Sequence, residues 1–295
     1  MTRVRLAIAT CKSLPTWESD DEPFHAAFSN RGVEFASCVW DDTSVCWEDF
    51  DAVLLRTTWD YCEKHAAFLD WISEVDARTR LINPGAVVRW NATKTYLADL
   101  ANGGAPIAPT RWIAVGEKLS LTGVLEREGW EQAFLKPLIG ATSRATVRFD
   151  RSSVAEAQAV LERLGGEEAF LVQPYLKRVE TEGELSFIFF GGQFSHAVRK
   201  IPVAGDYRVQ DDFGARDKLH DASENEVGLA DEVRQAIERR FSARLTYARI
   251  DFLKGARGEL LVNEAELIEP SLFFRHAPQA PDLFIDALLD EVAKA

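Results

Sequence analysis

The chain has 295 residues, 46% hydrophobic and 27% charged, with 34 Lys and Arg against 47 Asp and Glu, a net charge of −13. This is the balance of a globular chain of about two domains, and it excludes a disordered, collagen-like or disulfide-scaffold protein. The negative sum repels phosphate backbones, so nucleic acid and anionic membrane are not expected partners, and any anionic ligand must meet a local basic cluster.

The opening MTRVRLAIAT is expected to be a first β-strand, because residues 6–9 are too short for a signal-peptide apolar region and Cys11-Lys12-Ser13 follows at once. Strands are expected over residues 4–10, 33–40, 52–57 and 80–82, alternating with helices over 23–31, 64–77 and 87–102. That alternation signals a parallel α/β sheet. Trp40, Trp71 and Trp90 belong by this pattern to the core. The helix stop Asn102-Gly103-Gly104-Ala105-Pro106 marks a first boundary. Beyond it, strands over 133–136, 145–149 and 170–173 surround one helix over 154–164, a piece too small for a core of its own and expected to serve as a mobile lid. After Pro174, mostly antiparallel strands over 185–190, 194–199, 246–253 and 259–265 accompany helices over 226–241 and 282–294. The chain therefore divides into an α/β unit (1–105) and two α+β units (106–174 and 175–295). No apolar run approaches the roughly 18–20 residues that span a bilayer. Cys11, Cys38, Cys46 and Cys62 form no metal-ligand spacing, and reduced thiols in a cytoplasmic protein are expected.

The chemistry concentrates in Tyr247-Ala248-Arg249-Ile250-Asp251-Phe252-Leu253 and Leu261-Val262-Asn263-Glu264-Ala265-Glu266, which flank a turn containing Gly255 and Gly258. Alternation puts Arg249 and Asp251 on one face, as it does Glu264 and Glu266. The midpoint of Asp251 and Glu264 falls inside the glycine turn, so a hairpin brings them opposite or diagonal. Three carboxylates and a guanidinium converge, and an all-oxygen set suits Mg²⁺ holding nucleotide phosphates. The plainer alternative, a solvated face with surface salt bridges, is opposed by the apolar residues Ile250, Phe252, Leu260, Val262 and Ala265, which make both strands central. Neither GxxxxGK[ST] nor GxGxxG is present. Lys136 instead ends an apolar strand ahead of the small, polar loop Ile139-Gly140-Ala141-Thr142-Ser143-Arg144-Ala145-Thr146, which is able to fold over phosphates.

In this order the residues resemble the ATP-grasp superfamily of carboxylate–amine ligases across essentially the whole chain. The resemblance implies an N-terminal Rossmann-like domain, a small lid and a C-terminal α+β domain. Lys94 and Lys136 resemble its two ATP lysines, with Ser143 in the phosphate loop. Gln173, Tyr175 and Leu176 resemble the adenine hinge, and Glu184 the ribose carboxylate. Asp251, Glu264 and Glu266 take the metal places, and Arg249 and Arg208 are the arginines near the transferring phosphate. Glu266 departs from the family's usual Glu-x-Asn ending, and the loop has a single glycine, Gly140, where many members have several. Several stretches are most similar to the subgroup with glutathione-synthetase-like ATP-binding domains, which includes an O-ureido-serine cyclo-ligase.

The activity so implied consumes ATP with Mg²⁺, two ions, and joins a small amino-acid-like carboxylate to an amine through an acylphosphate. The product is a ring formed within one molecule, or a dipeptide or amide. A homodimer or higher oligomer is the family expectation. Loops after the first-unit strands are the substrate candidates: Trp17, Glu18, Arg56, Trp59, Asp60 and Tyr61, faced by Ser271 and Arg275, with Arg56 or Arg275 suited to pair a carboxylate. Two alternatives stand beside this reading. One is a nucleotide-binding regulatory protein with the same fold and no turnover; the other releases a phosphorylated product, as a kinase does.

Overall fold

The computed structural model describes residues 4–16, 19–140, 145–209 and 213–294. Trp17, Glu18, Thr142, Ser143, Arg144 and Gln210 lie outside the described residues.

Strands β1 (Arg5–Thr10), β2 (Glu34–Val39), β3 (Ala52–Thr57) and β4 (Arg80–Ile82) form a parallel sheet in the order β2-β1-β3-β4. The two inner strands are buried along their length, Arg5 excepted, as apolar runs covered on both faces require. Helix α1 (Pro23–Asn30) covers one side. Helix α2 (His65–Arg78) covers the other with Phe68, Trp71, Ile72 and Val75, an i, i+3, i+4, i+7 stripe packed among Trp40 and Trp47.

The expected helix over 87–102 is instead two, α3 (Gly85–Asn91) and α4 (Tyr96–Asn102), broken at Ala92–Thr95. The cause is tertiary. The Asn91 side chain donates to the Ala265 carbonyl at 2.7 Å and accepts from the Leu267 amide at 3.0 Å, and the Lys94 amide leaves the helical ladder to bond the Leu138 carbonyl at 2.8 Å. Thr93 and Thr95, weak helix formers, flank the break.

The central piece is an antiparallel sheet of β5 (Arg111–Ile113), β6 (Gln132–Pro137), β7 (Val147–Asp150) and β8 (Phe170–Pro174), ordered β5-β8-β6-β7, with helices α5 (Leu121–Glu128) and α6 (Val154–Leu164). It does have a core of its own, built on Ile113, Leu125, Leu135, Phe149, Leu161 and Phe170. The sequence reading missed this because it missed β5 and α5, which supply Ile113, Leu121, Val124 and Leu125. The signals for α5 were present: Ser120 caps it by accepting from the Gly123 amide, and Gly129 ends it at φ +68°.

The third sheet contains β9 (Glu184–Phe190), β10 (Gln193–Ile201), β11 (Arg216–Leu219), β12 (Tyr247–Lys254) and β13 (Leu260–Glu266) in the order β11-β10-β9-β12-β13, all antiparallel. Short helix α7 (Val179–Glu182) precedes it, and α8 (Glu224–Phe241) and α9 (Ala280–Val292) complete it. Alternation sorts the inner strands: Leu185, Phe187, Phe189, Ile250 and Phe252 pack under α8 and α4. Ile188, Phe190 and Tyr247 share a core with Leu6, Ile8 and Phe24 of the first unit and Phe284 of α9. The first and third sheets are thus fused, and α4 packs with the third sheet rather than the first. Strand β13 is an edge strand, not a central one; its apolar side chains are explained by a bridge from Ile107 to Val262 that covers the edge.

Candidate active site

Hairpin β12–β13 pairs Arg249 with Glu266, Ile250 with Ala265 and Asp251 with Glu264, the facing expected from the glycine turn. A bulge then shifts the register to Phe252 opposite Val262. It leaves Asn263 unpaired in the ladder, and the Asn263 side chain donates to Glu184 Oε2 at 2.7 Å. Because side chains alternate, the apolar members point into the core and the charged ones into a cleft. Oxygen atoms of Asp251, Glu264 and Glu266 come within 4.8 Å of one another.

Carboxylates that close repel unless cations stand among them. Arg249 donates to Asp251 through Nε at 3.0 Å and Nη2 at 2.8 Å, and also to Glu266. Lys200 pairs with Asp251 at 3.2 Å and with Glu184, and Lys94 pairs with Glu264 at 2.5 Å. Burial alone would push Asp251 up, but Arg249 and Lys200 outweigh it and hold the carboxyl well below its usual range. Glu264 is likewise lowered against burial, by Lys94 and Lys136. Glu266 goes the other way: burial, with the charges of Asp251 and Glu264 added, pushes it up to about 7. Three hard oxygen donors, two of them facing the cleft, fit Mg²⁺.

The break between α3 and α4 presents Lys94, and strand β6 presents Lys136, which lies 3.4 Å from Gln173 Oε1. Burial lowers the Lys136 pKa. Gln173 is oriented by its donation to Thr110 Oγ1 at 3.0 Å, and the Tyr175 amide bonds the Gln132 carbonyl at 2.9 Å. Gly183, at φ +71°, allows the chain to run against the Lys200 carbonyl, where any Cβ would collide, and so seats Glu184 beside Lys200. Arg208 is held by Asp206, with Nη2 at 2.6 Å, and stacks over Phe213 at 3.9 Å.

A cavity of about 340 Å³ joins these groups. Lys94, Lys136, Gln173, Tyr175, Leu176 and Glu184 line it toward the hinge; Arg208, Arg249, Glu264, Glu266, Trp59 and Ser271 line the remainder. Asp251 lies beneath Arg249, 1% exposed. Three substrate candidates are not brought to it. Arg56 is buried in a bidentate pair with Asp21, at 2.9 and 2.7 Å. Asp60 accepts from Trp40 Nε1 at 2.7 Å and pairs with Lys64. Arg275 spans Asp20, at 3.0 Å, and Asp217. Arg56 and Arg275 are committed to carboxylates from elements distant in sequence, and Asp60 to Trp40 and its near neighbour Lys64.

Lys200, Asn263, Tyr96 and Glu269 were not singled out. Lys200 was nearly legible: a β9–β10 hairpin turning at Gly191-Gly192 pairs Glu184 with Arg199, and a bulge between Phe194 and His196 moves the partner to Lys200. Tyr96 fixes β13 by accepting from the Ala265 amide at 3.1 Å.

Two lysines lining one cleft with a carboxylate triad on an antiparallel hairpin, beside a separately cored small sheet, make the arrangement of an ATP-grasp enzyme. The chain belongs to the ATP-grasp ligase family and is an ATP- and Mg²⁺-dependent carboxylate–amine ligase. The family model described as the prokaryotic glutathione synthetase ATP-grasp domain matches residues 107–262, and that of the D-cycloserine synthetase DcsG N-terminal domain matches residues 6–83. Cycloserine biosynthesis protein DcsG of Streptomyces lavendulae is 33% identical over 97% of this chain and 98% of its own. The crystal structure of D-cycloserine synthetase DcsG superposes with a TM-score of 0.89 at 31% identity, covering 98% of this chain and 99% of that one. A RimK domain ATP-grasp protein from Sphaerobacter thermophilus shares the fold at a TM-score of 0.68 and 17% identity, covering 96% and 99% of the two chains. Among the described residues no helix is long and apolar enough to cross a membrane.

Proposed function

We propose that this ligase closes an amide ring within one small amino-acid-like molecule, as the name of its curated relative, a cycloserine biosynthesis protein, suggests. The observation that carries the ligase site is the paired hairpin register, which faces Asp251 to Glu264 and Arg249 to Glu266. In this reading Gln173, Tyr175 and Leu176 receive adenine, Glu184 the ribose, and Lys94 and Lys136 the phosphates, a role that Ser143 shares by the family resemblance. Asp251, Glu264 and Glu266 would hold two Mg²⁺ ions, which supply neutralising charge to the phosphates. Arg249 and Arg208 stabilise the charge that spreads as the substrate carboxylate takes the γ-phosphoryl group to form an acylphosphate. A second nitrogen of the same molecule, distinct from its α-ammonium, then attacks the acyl carbon, loses its proton and displaces phosphate, and the lid keeps water from the acylphosphate. Trp59 and Ser271 border the substrate end. Three units, 1–105, 106–174 and 175–295, divide this work. The four free cysteines accord with a reducing, cytoplasmic compartment, and the homo-oligomer implied by the family resemblance is read by light scattering.

ADP release with Mg²⁺ and ATP across amino acids, dipeptides and O-ureido-serine tests the activity. The expected product is a ring one water lighter than a single substrate, or that ring after loss of its carbamoyl group. A mass joining two substrates refutes the cyclisation, and a stable phosphorylated product refutes the ligase step. Glu264→Gln is expected to lower turnover at least a hundredfold; full turnover refutes its role as metal ligand.

A further inference from the structure

The cavity has two chemically different ends. Toward the hinge it is lined by Leu176, Val179, Leu253 and Leu261; at the far end stand Trp59, Tyr61, Glu269 and Phe273. This far end carries a carboxyl where an arginine was expected. Arg56 and Arg275, the cations that the sequence offered for a substrate carboxylate, are held by Asp21 and by Asp20 with Asp217. Glu184, Asp251, Glu264 and Glu266 each have a lysine or arginine partner; among the described residues Glu269 has none within ion-pair distance.

Glu269 is also held rigidly. The Ile268 carbonyl accepts from Tyr247 Oη at 2.5 Å, the Glu269 carbonyl from Trp59 Nε1 at 3.3 Å, and the Ser271 carbonyl from Arg249 Nη1 at 3.1 Å. Side chains of β12 and of the turn at Trp59 thus pin the main chain on both sides of Pro270, and a carboxyl with no ion-pair partner among the described residues is left at the cavity wall. The same Arg249 contacts Ser271, Asp251 and Glu266, so Glu269 lies next to the place proposed for the reacting carboxylate. Aromatic faces of Trp59 and Tyr61 complete a lining suited to a cation.

Resting on the ligase reading above, we propose that Glu269 is a specificity-determining residue that binds the substrate's ammonium group, so that this site selects zwitterionic α-amino acids over plain carboxylic acids. Arg249, with the Mg²⁺ that the carboxylate triad would hold, addresses the carboxylate end of such a molecule, and Glu269 its adjacent ammonium. A bound ammonium supplies an ion-pair partner that no lysine or arginine among the described residues supplies at contact distance. Without it, burial and the neighbouring Glu266 outweigh the more distant charges of Arg56 and Arg249 and push the Glu269 carboxyl up to about 8.

The test is calorimetric binding to the full chain with ADP and Mg²⁺, comparing O-ureido-serine with its des-amino analogue, followed by ADP-release kinetics of Glu269→Gln and Glu269→Asp. The wild type is expected to bind the amino compound at least tenfold more tightly than the analogue. Glu269→Gln removes that preference and raises KM for O-ureido-serine at least tenfold, while KM for ATP stays within twofold and the thermal midpoint with ADP is not lowered. Glu269→Asp restores part of the preference. Equal wild-type binding of the two compounds overturns the inference, and so does a Gln variant that keeps the preference or changes KM for ATP equally. Ammonium-selective binding without any ring product would sink the cyclisation and leave the role of Glu269 standing.

Discussion

Arg56 offers the sharpest test of how the substrate end is built. Its guanidinium is 1% exposed and Asp21 is fully buried, with two hydrogen bonds of 2.9 and 2.7 Å between them and the Phe24 ring 5.9 Å away. Arg56→Met removes the cation and leaves the Asp21 carboxyl in the wall between α1 and β3 without it. Breaking a buried pair from one side costs about 3–5 kcal/mol. With a midpoint shift of roughly 2–4 °C per kcal/mol for chains of 150–250 residues, that lowers the thermal midpoint by about 6–20 °C. The double variant Asp21→Leu with Arg56→Met is expected to recover most of the loss, because replacing both partners with apolar groups removes the desolvation cost as well as the attraction. The assay is thermal and urea unfolding of both variants, with KM for the amino-acid substrate measured at a temperature where each is folded. KM is expected to stay within about twofold for the double variant. An unchanged midpoint in Arg56→Met together with a tenfold rise in KM would refute the reasoning and return Arg56 to the substrate.

Two further outcomes follow from the charges in the cleft. Lys200→Met removes the cation shared by Glu184 and Asp251, so KM for ATP is expected to rise at least tenfold and the thermal midpoint to fall; adding Glu184→Gln should recover the midpoint and not KM, and an unchanged KM in the single variant argues against a role for this pair in holding nucleotide. The raised Glu269 carboxyl predicts a pH effect on stability. Its folded pKa of about 8 lies above the ordinary value of 4.5, so the stability it contributes is fully present below pH 4.5 and is lost as pH rises through about 8. Glu269→Gln should therefore gain stability relative to wild type between pH 5 and pH 9, by something on the order of 1–3 kcal/mol after allowance for its partial exposure. Parallel stability profiles for the two proteins would contradict that shift.

The catalytic hairpin was legible because its chemistry is local. The midpoint of Asp251 and Glu264 falls inside the glycine turn, and period-two alternation with one bulge after Asp251 brings them opposite. The same symmetry applied to β9–β10 points to Arg199, and only the bulge at Ser195 reveals Lys200. The helix over 87–102 failed for a different reason: nothing in its own periodicity announces that Asn91 and Lys94 will bond residues 265, 267 and 138 instead of their own turn. Arg56 and Arg275 had the right residue type, and what disqualified them was Asp21, Asp20 and Asp217 arriving from elements far along the chain. Local pattern identified the groups that make the hairpin; long-range pairing decided which other charges remain available to a ligand.

That availability is itself arranged by exchange. Before any ligand enters, Lys94 and Glu264 satisfy each other, as do Arg249 and Glu266, so the cleft can hold carboxylates at close range without unfolding. Each member of such a pair has a second partner of the proposed reaction matched to it: a divalent cation for the carboxylate, a phosphate for the lysine or arginine. Taking up nucleotide and metal together therefore trades one set of charge pairs for another, and neither half is left buried alone, which is the condition under which buried charge is tolerable. Lys136 differs from Lys94 in this respect. Its polar contact among the described residues is the neutral Gln173, and burial already lowers its pKa, so it gains most from an arriving phosphate. It also stands on β6 of the small sheet, which keeps its own core. The same arithmetic leaves Glu269 in want of a cation, and among the reactants of an amino-acid ligase the group that remains to supply one is the substrate's ammonium.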